Sequence, residues 1–311
     1  MPRPSPVTFF KQSLKSESYY ADEIINIYLL RPLAACIVWL IYPTRITPNQ
    51  VTITAIIVGL VAAYTYILDT PAAIAIAGLL VTTKDILDDA DGQLARLRAE
   101  TPACTKRFGE GRHYGVQARA KEMYSRRGRF LDSIGDFVVD VAVFGAVTYS
   151  VYLTDPSPTT ILFGFLSFLG ITLRVSYHVF YQVSFFHLED RYKLNRITEE
   201  LREEDRRGDP ITLHLQQIFL LIYGWQDKLI YRIDYWCRRG KNDEEFLNSW
   251  YSDKLGLRLS GLLGFGTEFA VLTICSLFNN LSLYLLLNVV LMNGIWMINI
   301  LYRRYISPLK I

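Results

Sequence analysis

Apolar residues run along this chain in long blocks rather than alternating with polar ones at short range. An α-helix needs about 20 of them to cross a bilayer. Six blocks qualify, near 50–68, 71–92, 132–153, 159–181, 258–277 and 281–302. A further block, Leu33 to Tyr42, is too short, with Pro32 before it and Pro43 at its end. Residues 22–43 are therefore expected as an amphipathic helix on the membrane surface, with a shallow re-entrant segment as the alternative.

The connections set the orientation. Asp69-Thr70, Thr154 to Thr159 and Asn279-Asn280 are short links without Lys or Arg. Arg126, Arg127 and Arg129 cluster before the third block, and Arg303, Arg304 and Lys310 follow the last. Positive charge favours the cytoplasmic side, so both termini and the large loops are expected there, with the short links external. The expected fold class is all-α: a six-transmembrane-helix bundle with an N-terminal amphipathic surface helix. Its parts are a cytoplasmic N-terminus and juxtamembrane helix (1–43), a membrane core of spans one to four (44–182), a cytoplasmic or interfacial helical excursion (183–257), and spans five and six with a tail (258–311). Within the excursion Asp209-Pro210 reads as a helix start, Asp as N-cap and Pro in the first turn. The mixed apolar and charged stretch after it fits an interfacial helix or a soluble helical hairpin.

Composition narrows this further. Of 311 residues, 51% are hydrophobic and the formal net charge is only +3, so bulk charge names no partner and no nucleic acid is expected. Cys36, Cys104, Cys237 and Cys275 are widely spaced, which argues against a disulfide framework or a structural zinc site. The polar start of the chain gives no sign of a cleavable signal peptide.

The chemistry gathers at the ends of blocks two and three. The first reads Asp88-Asp89-Ala90-Asp91-Gly92-Gln93-Leu94-Ala95-Arg96, and the second Gly128-Arg129-Phe130-Leu131-Asp132-Ser133-Ile134-Gly135-Asp136. Asp88 and Asp91 are three apart and Asp132 and Asp136 four apart, so each pair shares a helix face. Two neighbouring helices can then aim four carboxylates at one point. Such a cluster repels itself at low dielectric and is costly in a membrane. Divalent cations relieve it, and hard carboxylate oxygens suit Mg²⁺ or Mn²⁺, often as a pair in phosphoryl chemistry. Gly92 leaves room for a ligand near the backbone, Ala95 keeps the same face open, and Arg96 offers a planar fork for a phosphate.

This combined pattern, D-x-x-D-G-x-x-A-R followed by G-x-x-x-D-x-x-x-D, resembles the signature of the CDP-alcohol phosphatidyltransferase family. Thr47-Pro48-Asn49-Gln50-Val51-Thr52 also resembles the start of that family's first membrane helix. The resemblance covers about residues 22–181 and the last two helices. It implies six spans, a two-ion site near the cytosolic face, and transfer of a phosphatidyl or other phosphoalcohol group from a CDP-linked donor to an alcohol, releasing CMP. By position, Asp88, Asp91, Asp132 and Asp136 match its metal ligands, with Asp136 also its base. Gly92, Arg96 and Ser125 match contacts to the CDP moiety, and Asn49 and Thr52 fall in the stretch that lines the nucleotide pocket. Further implications are a homodimer and, for a bacterial chain, a cell-membrane location. CDP-diacylglycerol is the expected donor and phospholipid synthesis the expected setting. A soluble CDP-alcohol donor is the alternative within the family, and an ion-coupled transporter the rival from another class.

One departure stands out. Here 31 residues separate Arg96 from Gly128, and removing Pro102 to Tyr124 would restore the family's spacing. This basic insertion reads as a tolerated loop, with a lid over the nucleotide as the alternative; Ser125 depends on that gapped match. Asp85 and Asp140 lie one turn deeper than Asp88 and Asp136, and read first as structural hydrogen-bonding groups, with pairing to Lys84 or action on the metals through water as the alternatives. Arg174 and Glu268 fall inside blocks four and five. Two readings stay open for Arg174: contact with an anionic acceptor, or a structural pair with Glu268.

Overall fold

The computed structural model describes residues 9–10, 20–99, 126–188, 201 and 209–307. Most of those residues are helical, and no strand is found among them. The helices are α1 (Asn26–Ile41), α2 (Pro48–Ile67), α3 (Pro71–Ala99), α4 (Arg126–Thr154), α5 (Pro158–Leu188), α6 (Pro210–Cys237), α7 (Glu244–Tyr251), α8 (Lys254–Ser260), α9 (Phe265–Leu277) and α10 (Leu281–Tyr305). Four of them (α2, and the Gly128–Thr154, Pro158–Phe186 and Leu281–Tyr305 stretches of α4, α5 and α10) are long and apolar enough to cross a membrane. The bent pair α8 and α9 makes a fifth if the two count as one span.

Helix α3 is the informative exception. It forms over the expected second block, but Lys84, Asp85, Asp88, Asp89 and Asp91 sit from its middle onward. That charge keeps it below the apolarity of the other spans. Its position explains why it tolerates them: α3 packs closely against α2, α9 and α1, so its flanks are screened by protein.

The start of α2 follows from its sequence. Thr47 and Gln50 form a reciprocal capping box, with Gln50 N donating to Thr47 Oγ1 at 3.3 Å and Thr47 N to Gln50 Oε1 at 2.8 Å. Pro48 fills the first helical position, where its missing N–H costs nothing. Two glycines then set how tightly the bundle closes. A Cβ at Gly59 would strike Val139, and one at Gly135 would strike Ile56, so α2 and α4 lie closer than side chains would permit. The central core joins Ala62, Tyr66, Val81, Val143, Ile171, Leu272 and Tyr284 from six helices.

The fifth expected span is interrupted. A bend of 41° separates α8 from α9, and a residue from near the start of the chain packs into it. The Glu23 carboxylate sits against Gly264 and Gly266, occupying the space a Cβ at Gly264 would need. It accepts a hydrogen bond from Thr267 N at 3.4 Å, capping α9 from outside. Burial pushes Glu23 up to about 8, with the nearby Asp85 adding to the effect.

Helix α1 forms where the short apolar block predicts it. Ala34, Ala35 and Val38 are buried, and Ala34 and Val38 pack with Ala90 and Leu94 of α3, while Tyr28, Leu33 and Leu40 are exposed. Arg98 straps the following turn onto the end of α3, donating to the carbonyls of Ile46 at 2.5 Å, Thr44 at 3.3 Å and Tyr42 at 3.4 Å.

Helix α6 is built inside out for a soluble helix. Gln216, Gln226, Asp227 and Asp234 are buried, whereas Ile211, Ile218, Leu221, Trp225 and Trp236 are exposed, Leu221 at 79%. It packs against three bundle helices. Phe219 meets Phe130 of α4 with ring centroids 5.2 Å apart, Ser176 of α5 donates to Gln226 Oε1 at 2.6 Å, and Arg304 of α10 donates to Trp236 O at 2.8 Å. Asp234 anchors this packing by accepting from Tyr181, Trp250, Tyr251 and Arg238 at 2.8 to 3.0 Å. Four donors satisfy a carboxylate that is otherwise wholly buried.

Candidate active site

The two halves of the acidic motif lie on α3 and α4, and α2 packs closely against both, so one neighbour holds the two acid-bearing helices. Among the described residues, Asp88, Asp132 and Asp136 each offer a carboxylate oxygen, and these atoms lie within 4.8 Å of one another. The register is antiparallel. Asp88 meets Asp132, and one turn deeper Lys84 meets Asp136, with Lys84 Nζ 2.7 Å from Asp136 Oδ1.

Three carboxylates that close fit a hard divalent ion. Asp132 Oδ1 supports the fit, being buried without a hydrogen-bond partner among the described residues. Such an orphaned acceptor needs a cation or water to offset its desolvation. The acids could hold an ion of the Mg²⁺ or Mn²⁺ kind.

Asp91 lies apart from that trio. It is buried and accepts a hydrogen bond from Thr52 Oγ1, while remaining close enough to Asp88 and Asp132 to act on both electrostatically. The sequence aimed four carboxylates at one point; the structure joins three and couples the fourth to α2. Thr52 thus enters the site through Asp91. Asn49 is exposed in the first turn of α2, one turn before Thr52.

Gly92 is half-buried beside Asp91, Ala95 is buried and Arg96 is exposed, so the Arg96 guanidinium is available to a ligand. Ser125 and the insertion 102–124 lie outside the described residues. Asp85 and Asp140 are buried, with Asp85 Oδ1 3.6 Å from Lys84 Nζ.

Arg174 is fully buried and committed elsewhere. Its Nη2 lies 2.7 Å from Glu268 Oε2, and its Nη1 donates to Asn293 Oδ1 at 2.5 Å and to Asn288 O at 3.3 Å. Glu268 Oε1 accepts from Tyr284 Oη at 2.7 Å and from Asn288 Nδ2. Of the two readings of Arg174, the geometry supplies the structural pair, and the acceptor role finds no free terminal nitrogen.

Sequence reasoning missed two contributors. Lys84, by sequence a partner for Asp85 or Asp140, has Asp136 as its nearest acidic contact. Tyr223, far away on α6, donates to the carbonyl of Ser133 at 2.7 Å, between Asp132 and Asp136. A buried lysine one turn before an acidic motif is a signal that could have been read; the tyrosine carried none.

No family model matches the chain. It is 29% identical over 133 residues to the bifunctional IPC transferase and DIPP synthase of Thermococcus kodakarensis. The match covers 43% of this chain and 24% of that relative, so the chain spans about a quarter of its length. By its name that relative is a transferase, and the likeness is distant.

Proposed function

We propose that this chain is a membrane-embedded transferase that moves a phosphatidyl or other phosphoalcohol group from a CDP-linked donor to an alcohol acceptor, releasing CMP. The observation that carries the reading is the meeting of Asp88, Asp132 and Asp136 from the two halves of the motif. The distant likeness to a named transferase points the same way. CDP-diacylglycerol is the preferred donor, because a bundle rich in apolar helices would present the site to a lipid; a soluble CDP-alcohol is the second choice.

In the proposed reaction the acceptor's hydroxyl oxygen attacks the donor phosphorus bonded to the alcohol being transferred. The new bond joins that phosphorus to the acceptor oxygen. The bond from the phosphorus to the bridging oxygen breaks, and CMP leaves with that oxygen. Asp136 takes the acceptor's proton. Two divalent ions held by Asp88, Asp91, Asp132 and Asp136 would offset the charge of the diphosphate. Arg96 would fork onto a donor phosphate, and the small Gly92 would let the nucleotide approach the helix. Thr52 would hold Asp91 in place through its hydroxyl.

The six-span topology with the site at the cytoplasmic face belongs to this proposal. In it α3 and the bent α8–α9 pair complete the spans, α1 lies at the surface, and α6 lies in the cytoplasmic interface with its apolar face in lipid. Incubating the purified protein with CDP-diacylglycerol, Mg²⁺ or Mn²⁺ and a panel of alcohols tests the activity. CMP release that depends on one alcohol is expected. No release with any alcohol, for this donor and for soluble CDP-alcohols alike, would overturn it.

A further inference from the structure

Lys84 is 2% exposed and enclosed by acids from two helices. Its ammonium lies 2.7 Å from Asp136 Oδ1 and 3.6 Å from Asp85 Oδ1, near enough to Asp88 and Asp140 to feel both, and 5.8 Å from the centre of the Phe265 ring. A buried ammonium must be paired, and Asp85 or Asp140 could have met that need outside the carboxylate trio. Its closest partner is instead a member of the trio. An ammonium on a four-carbon stem acts as a compact point charge and can hold one carboxylate oxygen while leaving the other lone pairs open.

We propose that Lys84 is the positioning residue for Asp136. It pins one carboxylate oxygen from the deep side of the site, so that the rest of that carboxylate faces the ion and the acceptor. The assignment of Asp136 as base rests on the transferase reading above; the pinning contact itself does not. A consequence follows for cations. A fixed positive charge in contact with a ligand opposes a divalent ion, so Lys84 weakens ion binding while improving turnover. A purely structural lysine at the same place would oppose the ion equally but would leave turnover unchanged.

The test compares wild type, Lys84→Met and Lys84→Arg in detergent. Mn²⁺ affinity is measured without substrate by the paramagnetic signal of the free ion, thermal unfolding is followed alongside, and CMP release gives kcat and KM. Lys84→Met is expected to bind Mn²⁺ at least tenfold more tightly, yet to lose at least tenfold in kcat with the donor's KM within threefold of wild type. Lys84→Arg, which keeps the charge, should stay near wild-type Mn²⁺ affinity and recover part of the kcat. Unchanged Mn²⁺ affinity or unchanged kcat in Lys84→Met would overturn the proposal. Should wild type release no CMP from any donor, the transferase reading fails, and the Mn²⁺ comparison still tests the contact of the Lys84 charge with the ion site. If Lys84→Met does not fold, Lys84→Gln removes the charge while keeping a donor for Asp136: tighter Mn²⁺ binding with part of the kcat retained is expected, and unchanged Mn²⁺ affinity would overturn the proposal.

Discussion

Tyr223 donates a hydrogen bond of 2.7 Å to the main-chain carbonyl of Ser133, the residue that directly follows Asp132. Helix α6 thereby holds the helix that carries Asp132 and Asp136, and Phe137 packs against the same tyrosine with ring centroids 6.4 Å apart. Tyr223→Phe keeps the ring and removes the hydroxyl. A single neutral hydrogen bond contributes ~1 kcal/mol, so unfolding stability should fall by about that much. Turnover should drop by a few-fold at most, since the acids remain. Thermal unfolding and CMP release on the same preparation check both.

Much of the architecture was legible because membrane helices announce themselves by length and apolarity. The spacing of Asp88 to Asp91 and of Asp132 to Asp136 fixed which faces carry acid, and α2, packed against both helices, brings three of the four together. The docking of Glu23 at the break in the fifth span was not legible, because Glu23 lies 244 residues before the Thr267 amide it caps. The same holds for Tyr223 and Ser133, 90 residues apart. Such contacts depend on how α6 and the N-terminal segment dock, and no local periodicity encodes that. Asp91 illustrates the limit of spacing arguments: it shares a face with Asp88, yet the Thr52 hydroxyl on α2 engages it outside the trio.

Chelation and two substitutions should separate the parts of the site. Excess EDTA is expected to abolish CMP release, and added Mg²⁺ or Mn²⁺ to restore it. Asp136→Asn should lose turnover by at least a hundredfold while donor binding stays within a few-fold, because the base acts on the acceptor. Arg96→Ala should chiefly raise the donor's KM, since a charge-assisted contact contributes about 1.5–3 kcal/mol. Full activity in EDTA would remove the ions from the mechanism, and near-normal turnover of Asp136→Asn would remove it as the base.

The Arg174–Glu268 pair makes a prediction about stability. Both side chains are buried, at 0% and 1% exposure. Removing one partner strands the other, which costs about 3–5 kcal/mol in buried pairs, whereas replacing both with apolar residues is far milder. Arg174→Met and Glu268→Leu should each unfold at markedly lower temperature than wild type. The double variant should lose much less than the two losses added together. Additive losses in the cycle would mean that the two charges do not depend on each other.

Helix α6 should report its surroundings through its own tryptophans. Trp225 and Trp236 lie on the exposed face with Leu221 and Ile218, beside the exposed Lys228 and Arg232. A face of this kind suits the headgroup boundary, with rings and aliphatics inward and cations toward the phosphates. In vesicles of brominated lipid, wild-type fluorescence should be quenched, and Trp225→Phe with Trp236→Phe should remove a large part of the quenched signal. Quenching unchanged by the two substitutions would place this face away from lipid, as in a soluble hairpin.

Glu23 gives the chain a pH dependence that can be isolated. Burial, with Asp85 and then Asp89 of α3 adding repulsion, pushes it up to about 8 from an ordinary value of 4.5. Folded Glu23 thus keeps its proton over a range in which unfolded Glu23 has lost it. Its stabilising influence is fully present below about 4.5 and is lost as pH rises toward about 8, above which the curve flattens. The slope within that window is at most about 1.4 kcal/mol per pH unit for one group. Glu23→Gln mimics the protonated form and keeps an oxygen to accept from Thr267 N, so its unfolding stability should change less between pH 5 and pH 8 than that of wild type. Because Glu23 caps α9 beyond the 41° bend, the gain should be largest at the alkaline end, where wild type carries a buried charge next to Asp85. Parallel stability curves for the two proteins across that range would show that Glu23 does not titrate with folding.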